Sequence, residues 1–128
     1  MAHVHASIGT TNYEVTLKAG RHQWRADEHA ALGGMDAGPA PYEHLLAALG
    51  SCTAITLQMY AQRKQWPLIA VDVDLRHEKT GDQAAISRTL TLQGTLTDEQ
   101  RARLLDIAQR TPVTLTLKGG IEIHTELR

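Results

Sequence analysis

The sequence contains little of what several large classes of protein depend on. It has a single cysteine, Cys52, so no disulfide can form within the chain and the fold does not rely on oxidation. It has no cluster of lysine or arginine, and its formal charge of −1 provides no basic surface for nucleic-acid phosphates. Phenylalanine is absent, so the core must be built mainly from leucine, isoleucine, valine and alanine.

Targeting and membrane-spanning segments are also missing from the pattern. The first residues carry neither a basic region nor an apolar run, so we expect no secretory signal. The longest uncharged stretch, Leu45–Gln62, contains serine, threonine and glutamine and is too polar for a lipid-facing span. We therefore expect a cytoplasmic protein with neither membrane nor nucleic acid as a partner, folded as one domain over residues 1–128.

Alternation of apolar and polar residues predicts the secondary structure of the first half. Three strands are expected at residues 2–8, 13–18 and 22–26, before a loop rich in glycine and proline at residues 33–41. From Pro41 to about Lys64 the pattern is helical without a charged face, which predicts a long central helix buried on all sides. We expect its main stripe to contain Leu45, Leu49, Cys52, Thr56, Met59, Tyr60 and Arg63.

The second half continues with strands and a shorter helix. We expect a fourth strand over residues 71–76, and a fifth with Leu90, Leu92 and Leu96 facing inward. Residues 97–100 form a capping box that begins a helix reaching about Arg110. Residues 113–117 fit either a short strand or a turn of helix, and residues 121–127 alternate as a last strand. The order β-β-β-α-β-β-α-β predicts an α+β fold with mainly antiparallel strands.

Cys52 is the residue best suited to covalent chemistry. The thiolate is the reactive form, and an ordinary cysteine, with a pKa of about 8.5, is mostly protonated at neutral pH. Cys52 lies about eleven residues into its helix, where the helix dipole contributes little, so a cation would have to reach it through tertiary or subunit contacts. The alternative role for a lone cysteine is that of a small apolar core residue.

Metal and phosphate sites have weaker support. His3 and His5 would share one face of a strand, as metal ligands can, but no third ligand lies near them in the sequence. His77 and His124 lie in predicted strands, where a structural role is the simpler interpretation. The loop at residues 33–41 lacks the Gly-Lys-Ser/Thr of a phosphate cradle and would be better suited to covering the mouth of a thiol site. We expect no cofactor and no metal.

Several segments form a recognisable set when they are read together. They are Gly33-Gly34, Gly38–Glu43, Leu45–Thr53, Lys64–Leu68, Pro112-Val113 and Gly119–Ile123. This set resembles the OsmC/Ohr family of osmotically inducible and organic-hydroperoxide-resistance proteins. The resemblance implies an intertwined homodimer, with central helices enclosed by sheets from both chains and a thiol site at each dimer interface. Members of the family reduce organic hydroperoxides with a reactive cysteine, a second cysteine, a glutamate and an arginine.

The resemblance assigns the catalytic roles residue by residue. Cys52 corresponds to the cysteine that attacks the peroxide, and Glu43 to the family's glutamate. The second cysteine would lie just before Pro112, where this chain has Thr111, so the resemblance implies an external thiol reductant. Arg21 and Arg25 are the nearest substitutes for the family's arginine.

The same resemblance suggests how substrate would bind. We expect the organic hydroperoxide to contact Tyr42, Leu49 and Thr111. Glu43 precedes Cys52 by nine residues, which places the two on opposite sides of a straight helix and about 13 Å apart along its axis. They can share one site only if the helix bends or if they come from different subunits.

Two main functions therefore remain open at this point. The first is a one-cysteine peroxidase that reduces organic hydroperoxides at Cys52. The alternative is a non-enzymatic binding protein for a small apolar or acyl ligand on the same dimeric scaffold, with Cys52 only lining the pocket. A third is a scaffold for a protein partner. The fraction of Cys52 present as thiolate at neutral pH would separate the first two.

Overall fold

The computed structural model describes all 128 residues and shows two small antiparallel sheets and three α-helices, which confirms the α+β class. The strands are β1 (His5–Ile8), β2 (Val15–Ala19), β3 (His22–Ala26), β4 (Ala70–Thr80) and β5 (Gln83–Gln93). The helices are α1 (Pro41–Lys64), α2 (Asp98–Ala108) and α3 (Pro112–Gly119), with a short 3-10 helix at Ala30–Leu32. The chain divides into two units, Met1–Leu45 and Leu46–Arg128. One domain over residues 1–128 stays a prediction.

The first unit contains a three-stranded meander with β2 in the centre. Leu17 pairs with Ala6 on one side and with Trp24 on the other. Gly20 has a φ of 58°, which glycine adopts at little cost in the tight turn between β2 and β3. β3 has the predicted bounds, whereas β2 begins later than predicted because Tyr13, with a φ of 60°, leaves the extended conformation.

Asp27 organises the loop that follows β3. Its buried carboxylate accepts hydrogen bonds from the backbone N–H groups of Glu28 (2.7 Å), Met35 (3.2 Å) and Ala37 (3.1 Å). The bond from Ala37 is the largest cause that lowers the pKa of Asp27 below its ordinary value. Gly34 packs so closely that a Cβ there would lie 2.0 Å from the Glu28 carbonyl oxygen. This glycine-rich loop therefore has a defined shape set by one carboxylate.

The second unit is built around the long hairpin of β4 and β5. Its register pairs Val71 with Leu92, Val73 with Leu90 and Leu75 with Arg88, and these side chains are half-buried while their neighbours along each strand are exposed. The hairpin residues pack with the fully buried cluster of Leu57, Leu104 and Ala108 from α1 and α2. The core of this unit therefore lies between the hairpin and the helices.

Helix α1 has the predicted bounds, but the prediction that it is buried on all sides is wrong for the single chain. Its buried residues are Leu49, Thr53, Leu57 and Ala61, which follow one another at intervals of one turn. On other faces Ile55 and Met59 remain 52% and 58% exposed, because the hairpin and the other helices cover only one side. The predicted stripe contained Cys52 and Thr56, whereas the buried residues of the helix are Thr53 and Leu57, one position further along. No helix of the chain is sufficiently long and apolar to cross a membrane.

The C-terminal part corrects the predicted element order. Residues 113–117, which the pattern left open, belong to helix α3, and Pro112 occupies its first turn. The predicted last strand is wrong for the single chain, because residues 120–128 form no regular structure. Ile121 and Ile123 are 71% and 83% exposed. A strand needs a neighbouring strand to pair its backbone groups, and this chain offers none to the segment.

Candidate functional site

Cys52 lies in the middle of α1, in the second unit, and is the free cysteine of the chain. Its side chain is half-buried, and its Sγ lies 4.0 Å from Oγ1 of Thr56, one turn further along the helix. The next residue, Thr53, points into the core and is fully buried. Cys52 is therefore located at the boundary between the buried stripe of α1 and its open side.

Arg88 is the cation that accompanies Cys52. It lies on β5, on the same strand face as Leu90 and Leu92, and is half-buried. Burial lowers the pKa of the Arg88 guanidinium, and its charge interaction with Cys52 acts in the opposite direction. Arg88 forms no ion pair with a carboxylate, and Cys52 is the group with which its charge interacts. Arg88 is therefore a cation that tertiary contacts bring within reach of Cys52 through its charge.

Two threonines hold the Arg88 guanidinium in place. Its Nη1 donates a hydrogen bond to Oγ1 of Thr53 on α1 at 2.8 Å, and another to Oγ1 of Thr114 on α3 at 3.0 Å. Thr53 in turn donates to the backbone carbonyl of Leu49 at 2.7 Å. One nitrogen of the arginine thereby joins α1, α3 and β5 around the thiol.

Thr111 extends this group. Its Oγ1 lies 2.6 Å from Oγ1 of Thr114, and both side chains are buried. Leu49 is also buried, with 5% of its surface exposed. The structure therefore brings two of the three predicted substrate-binding residues into the surroundings of Arg88. Tyr42, the third, is 60% exposed and lies in the first unit. A role for all three in substrate binding stays a prediction.

The other predicted catalytic residues lie in the first unit, where Arg25 and Glu43 have local partners. Arg25 on β3 forms an ion pair with Glu14 at 3.2 Å, and 60% of its side chain is exposed. Arg21 is exposed in the turn between β2 and β3. Glu43, in the first turn of α1, accepts a hydrogen bond from the backbone N–H of Ala40 at 2.9 Å. Their catalytic roles stay predictions.

Glu43 also takes part in a charge cluster with a histidine. Nε2 of His29 lies 3.2 Å from Glu43, and Nδ1 of the same ring lies 3.1 Å from Asp36. The hydrogen bond to Asp36 is the largest cause that raises the pKa of His29 above its ordinary value, and the charge of Glu43 is the next. The imidazole ring of His29 therefore joins the glycine-rich loop to the first turn of α1.

We expect this cluster to titrate in a way that identifies its partners. Since the pKa of His29 is raised by folding, its contribution to stability is complete below about pH 6.5 and is lost as the pH rises through the folded-state pKa. NMR titration of the His29 ring should show the raised pKa. Asp36→Asn should lower this pKa most, Glu43→Gln less, and Glu28→Gln least. Equal titration curves in all four proteins would contradict this assignment.

Arg88 was missed in the sequence although the sequence contained a signal for it. The alternation of β5 places Ile86, Arg88, Leu90 and Leu92 on one face, and an arginine in an inward-facing frame needs a polar or anionic partner. Arg88 lies two residues before Leu90, so continuing the predicted inward-facing alternation in that direction would have selected it. As for metal ligands, no group of three or more histidine, cysteine, aspartate or glutamate residues is arranged to hold an ion.

Comparison with known proteins identifies the family. Residues 33–126 match the family model described as OsmC-like protein. Because this match covers most of the sequence, the chain belongs to the OsmC-like protein family. The matched region contains Cys52 and Arg88, together with the threonines that hold the arginine. A comparison with curated proteins gave no match.

Solved structures agree on the fold. An OsmC-like protein from Mycoplasma pneumoniae matches with a TM-score of 0.80 and 16% identity over 93% of this chain and 88% of that one. An organic hydroperoxide resistance protein OsmC from Legionella pneumophila gives 0.67 and 17% over 93% and 90%. One from Elizabethkingia anophelis, with crystallant-derived thiocyanate bound, gives 0.69 and 19% over 95% and 91%. At these identities the likeness establishes the fold.

Proposed function

We propose that this protein reduces organic hydroperoxides at Cys52 in a one-cysteine cycle with an external thiol as reductant. The observation that carries the proposal is the arginine beside the thiol: Arg88 is fixed by two hydrogen bonds, has no carboxylate partner, and interacts through its charge with Cys52. A cation in this position can stabilise negative charge on the sulfur as it attacks the peroxide. The names of the structural relatives, which include organic hydroperoxide resistance proteins, support this substrate class.

In the first step the Cys52 thiolate attacks the terminal oxygen of the hydroperoxide. A sulfur–oxygen bond forms, the oxygen–oxygen bond breaks, and the alkoxide leaves as the alcohol after it takes up a proton. The cysteine is oxidised to the sulfenic acid while the hydroperoxide is reduced. Arg88 would stabilise both the attacking thiolate and the negative charge that develops on the leaving oxygen.

The second step requires a reductant, because the sequence contains no other cysteine. An external thiol attacks the sulfenic sulfur, which releases water and leaves a mixed disulfide on Cys52. A second thiol then releases Cys52 as the thiol and leaves as the external disulfide. This cycle suits the cytoplasm, where small-molecule and protein thiols are kept reduced.

The same proposal includes a homodimer. In the single chain Ile55 and Met59 on α1 are exposed, as are Ile121 and Ile123 near the C-terminus. Exposed apolar residues in this number favour coverage by a second copy, as the resemblance to the family implies. Light scattering on the purified protein would show twice the mass of the chain, and a monomeric mass at micromolar concentration would contradict it.

The test of the proposed function is a single-turnover reaction. Reduced protein mixed with one equivalent of cumene hydroperoxide should consume the peroxide stoichiometrically, and mass spectrometry should find one added oxygen on Cys52. A dimedone-type probe should trap the sulfenic acid, and no disulfide between chains should appear. Cys52→Ser should consume no more peroxide than buffer.

Two comparisons sharpen the result. Hydrogen peroxide in place of cumene hydroperoxide tests the preference for an organic substrate, and a dithiol reductant added after oxidation should restore the free thiol. Slow peroxide loss at the same rate in the wild type and in Cys52→Ser would contradict the proposal. In that case binding of a small apolar or acyl ligand would become the better explanation of the fold.

A further inference from the structure

We propose that Thr111 and Thr114 are positioning residues that hold Arg88 against Cys52, an inference that rests on the proposed function of the thiol. In this interpretation position 111 is not simply the place where a second cysteine is missing. It supplies a hydroxyl group that orients the arginine. The site would then combine one reactive sulfur with a cation held from three elements of the fold.

The hydrogen-bond pattern of Arg88 is the first support. The two bonds from Nη1 to Thr53 and Thr114 use both hydrogens of that nitrogen. The remaining N–H groups, on Nη2 and Nε, have no partner within the protein. A guanidinium held by one nitrogen in this way leaves its other donors free for an anion. The Cys52 thiolate, and the alkoxide oxygen that leaves when the peroxide is reduced, are anions of this kind.

The local structure at Thr111 is the second and independent support. Thr111 is the N-cap residue of α3, where a threonine hydroxyl ordinarily accepts a hydrogen bond from a backbone N–H of the first turn. Here its side chain caps no backbone group and lies 2.6 Å from the hydroxyl of Thr114 instead. The helix therefore forgoes a stabilising cap, and the hydroxyl group is used to orient Thr114.

The bonding capacity of Thr114 explains why this matters. Its oxygen accepts from Arg88, so its single hydrogen must go to Thr111 at 2.6 Å or to the carbonyl of Ala108 at 3.4 Å. Either arrangement fixes the hydroxyl and directs a lone pair at the guanidinium. Since Thr111 and Thr114 are buried, water cannot readily replace either partner. Loss of one hydroxyl should therefore loosen Arg88 without removing its charge.

The experiment measures the alkylation rate of Cys52 by iodoacetamide between pH 5 and pH 10, which reports the thiolate without any peroxide. Because the chain has one cysteine, the whole signal belongs to Cys52. Thr111→Val and Thr114→Val remove a hydroxyl at nearly constant volume. Each should slow alkylation at pH 7 roughly two- to tenfold, the range of one ordinary hydrogen bond. The rates should converge with that of the wild type at pH 10, where the thiol is ionised in all proteins.

Two sets of variants separate positioning from a structural role. Thr111→Ser and Thr114→Ser keep the hydroxyl and should restore the wild-type profile, while Thr89→Val and Thr91→Val, on the exposed face of β5, should leave it unchanged. A wild-type profile in Thr111→Val and Thr114→Val would overturn the inference, whatever their melting temperatures. Failure of the proposed function is a distinct outcome, in which the wild type consumes no peroxide although these alkylation profiles differ as expected.

Discussion

Replacing Arg88 by glutamine should lower the second-order rate constant for reduction of cumene hydroperoxide about 10²-fold, the loss seen when one preorganised charge-stabilising group is removed. Glutamine can still donate one hydrogen bond to Thr53 or Thr114, but it carries no charge. The loss of Arg88 therefore removes the charge interaction with Cys52. The rate is measured by stopped-flow under pseudo-first-order conditions.

Arg88→Lys separates charge from geometry. A lysine keeps the charge but lacks the planar fork that lets one nitrogen contact both threonines while the others remain free. We therefore expect Arg88→Lys to recover part of the rate lost in Arg88→Gln, and to remain below the wild type. The ratio of the rate constants of the wild type and Arg88→Lys measures how much of the contribution of Arg88 depends on the placement of its charge.

A matched control is available on the neighbouring strand. Arg76 lies on β4, has 71% of its side chain exposed, and pairs with Asp74 at 3.5 Å. Arg76→Gln changes the net charge of the protein by the same amount and should leave the rate within about twofold of the wild type, since exposed pairs contribute little. Equal losses in Arg76→Gln and Arg88→Gln would show that net charge alone matters, and the role given to Arg88 would be wrong.

Much of the fold could be predicted because its determinants are local in the sequence. The bounds of α1 agree with the structure, since Pro41 is suited to the first turn and Trp66-Pro67 follows the end. The capping box at Thr97 and Gln100 is present with both hydrogen bonds. In these places neighbouring residues alone determine the conformation, so no knowledge of the tertiary structure was needed.

The site could be predicted only in part because its residues come together through packing. Cys52 was selected from the sequence, but Arg88 and Thr114 are 36 and 62 residues further along, and their meeting depends on how β5 and α3 pack beside α1. Thr111 was predicted as a substrate contact at the place of the missing cysteine, and not as a partner of Thr114. Its bond to Thr114 could not be seen, because the side chain of an N-cap residue usually accepts from a backbone N–H of the helix and not from a side chain.

Two predictions made from the sequence are wrong for the single chain, and for the same physical reason. The pattern at Ile121 and Ile123 predicted a strand, and the pattern of α1 predicted a helix buried on all sides. In the single chain both isoleucines are exposed, and so is Met59. Apolar periodicity records that a surface is covered, but it does not record whether the same chain covers it. Both patterns would be satisfied in the proposed homodimer.

Leu57→Ala should be among the most destabilising single substitutions. Leu57 is fully buried on α1, one turn after Thr53, and packs with Leu104 of α2 and the inward face of the hairpin. Removing three carbons from a site of this kind costs about 2–5 kcal/mol of unfolding free energy, because the transfer energy is lost and a cavity remains. Urea denaturation at a fixed protein concentration measures the difference.

Leu105 provides the comparison, since it is also a leucine within a helix but is 55% exposed. Leu105→Ala should change the unfolding free energy by about 0.5 kcal/mol or less, as is usual for surface positions. If both substitutions cost the same, the assignment of the core would be wrong.

The expected order also bears on the thiol. Leu57 and Thr53 belong to the same buried stripe, so a cavity at Leu57 should loosen the helix that carries Cys52. Slower alkylation of Cys52 in Leu57→Ala than in Leu105→Ala would show that the reactive thiol depends on the packing of α1 as well as on Arg88.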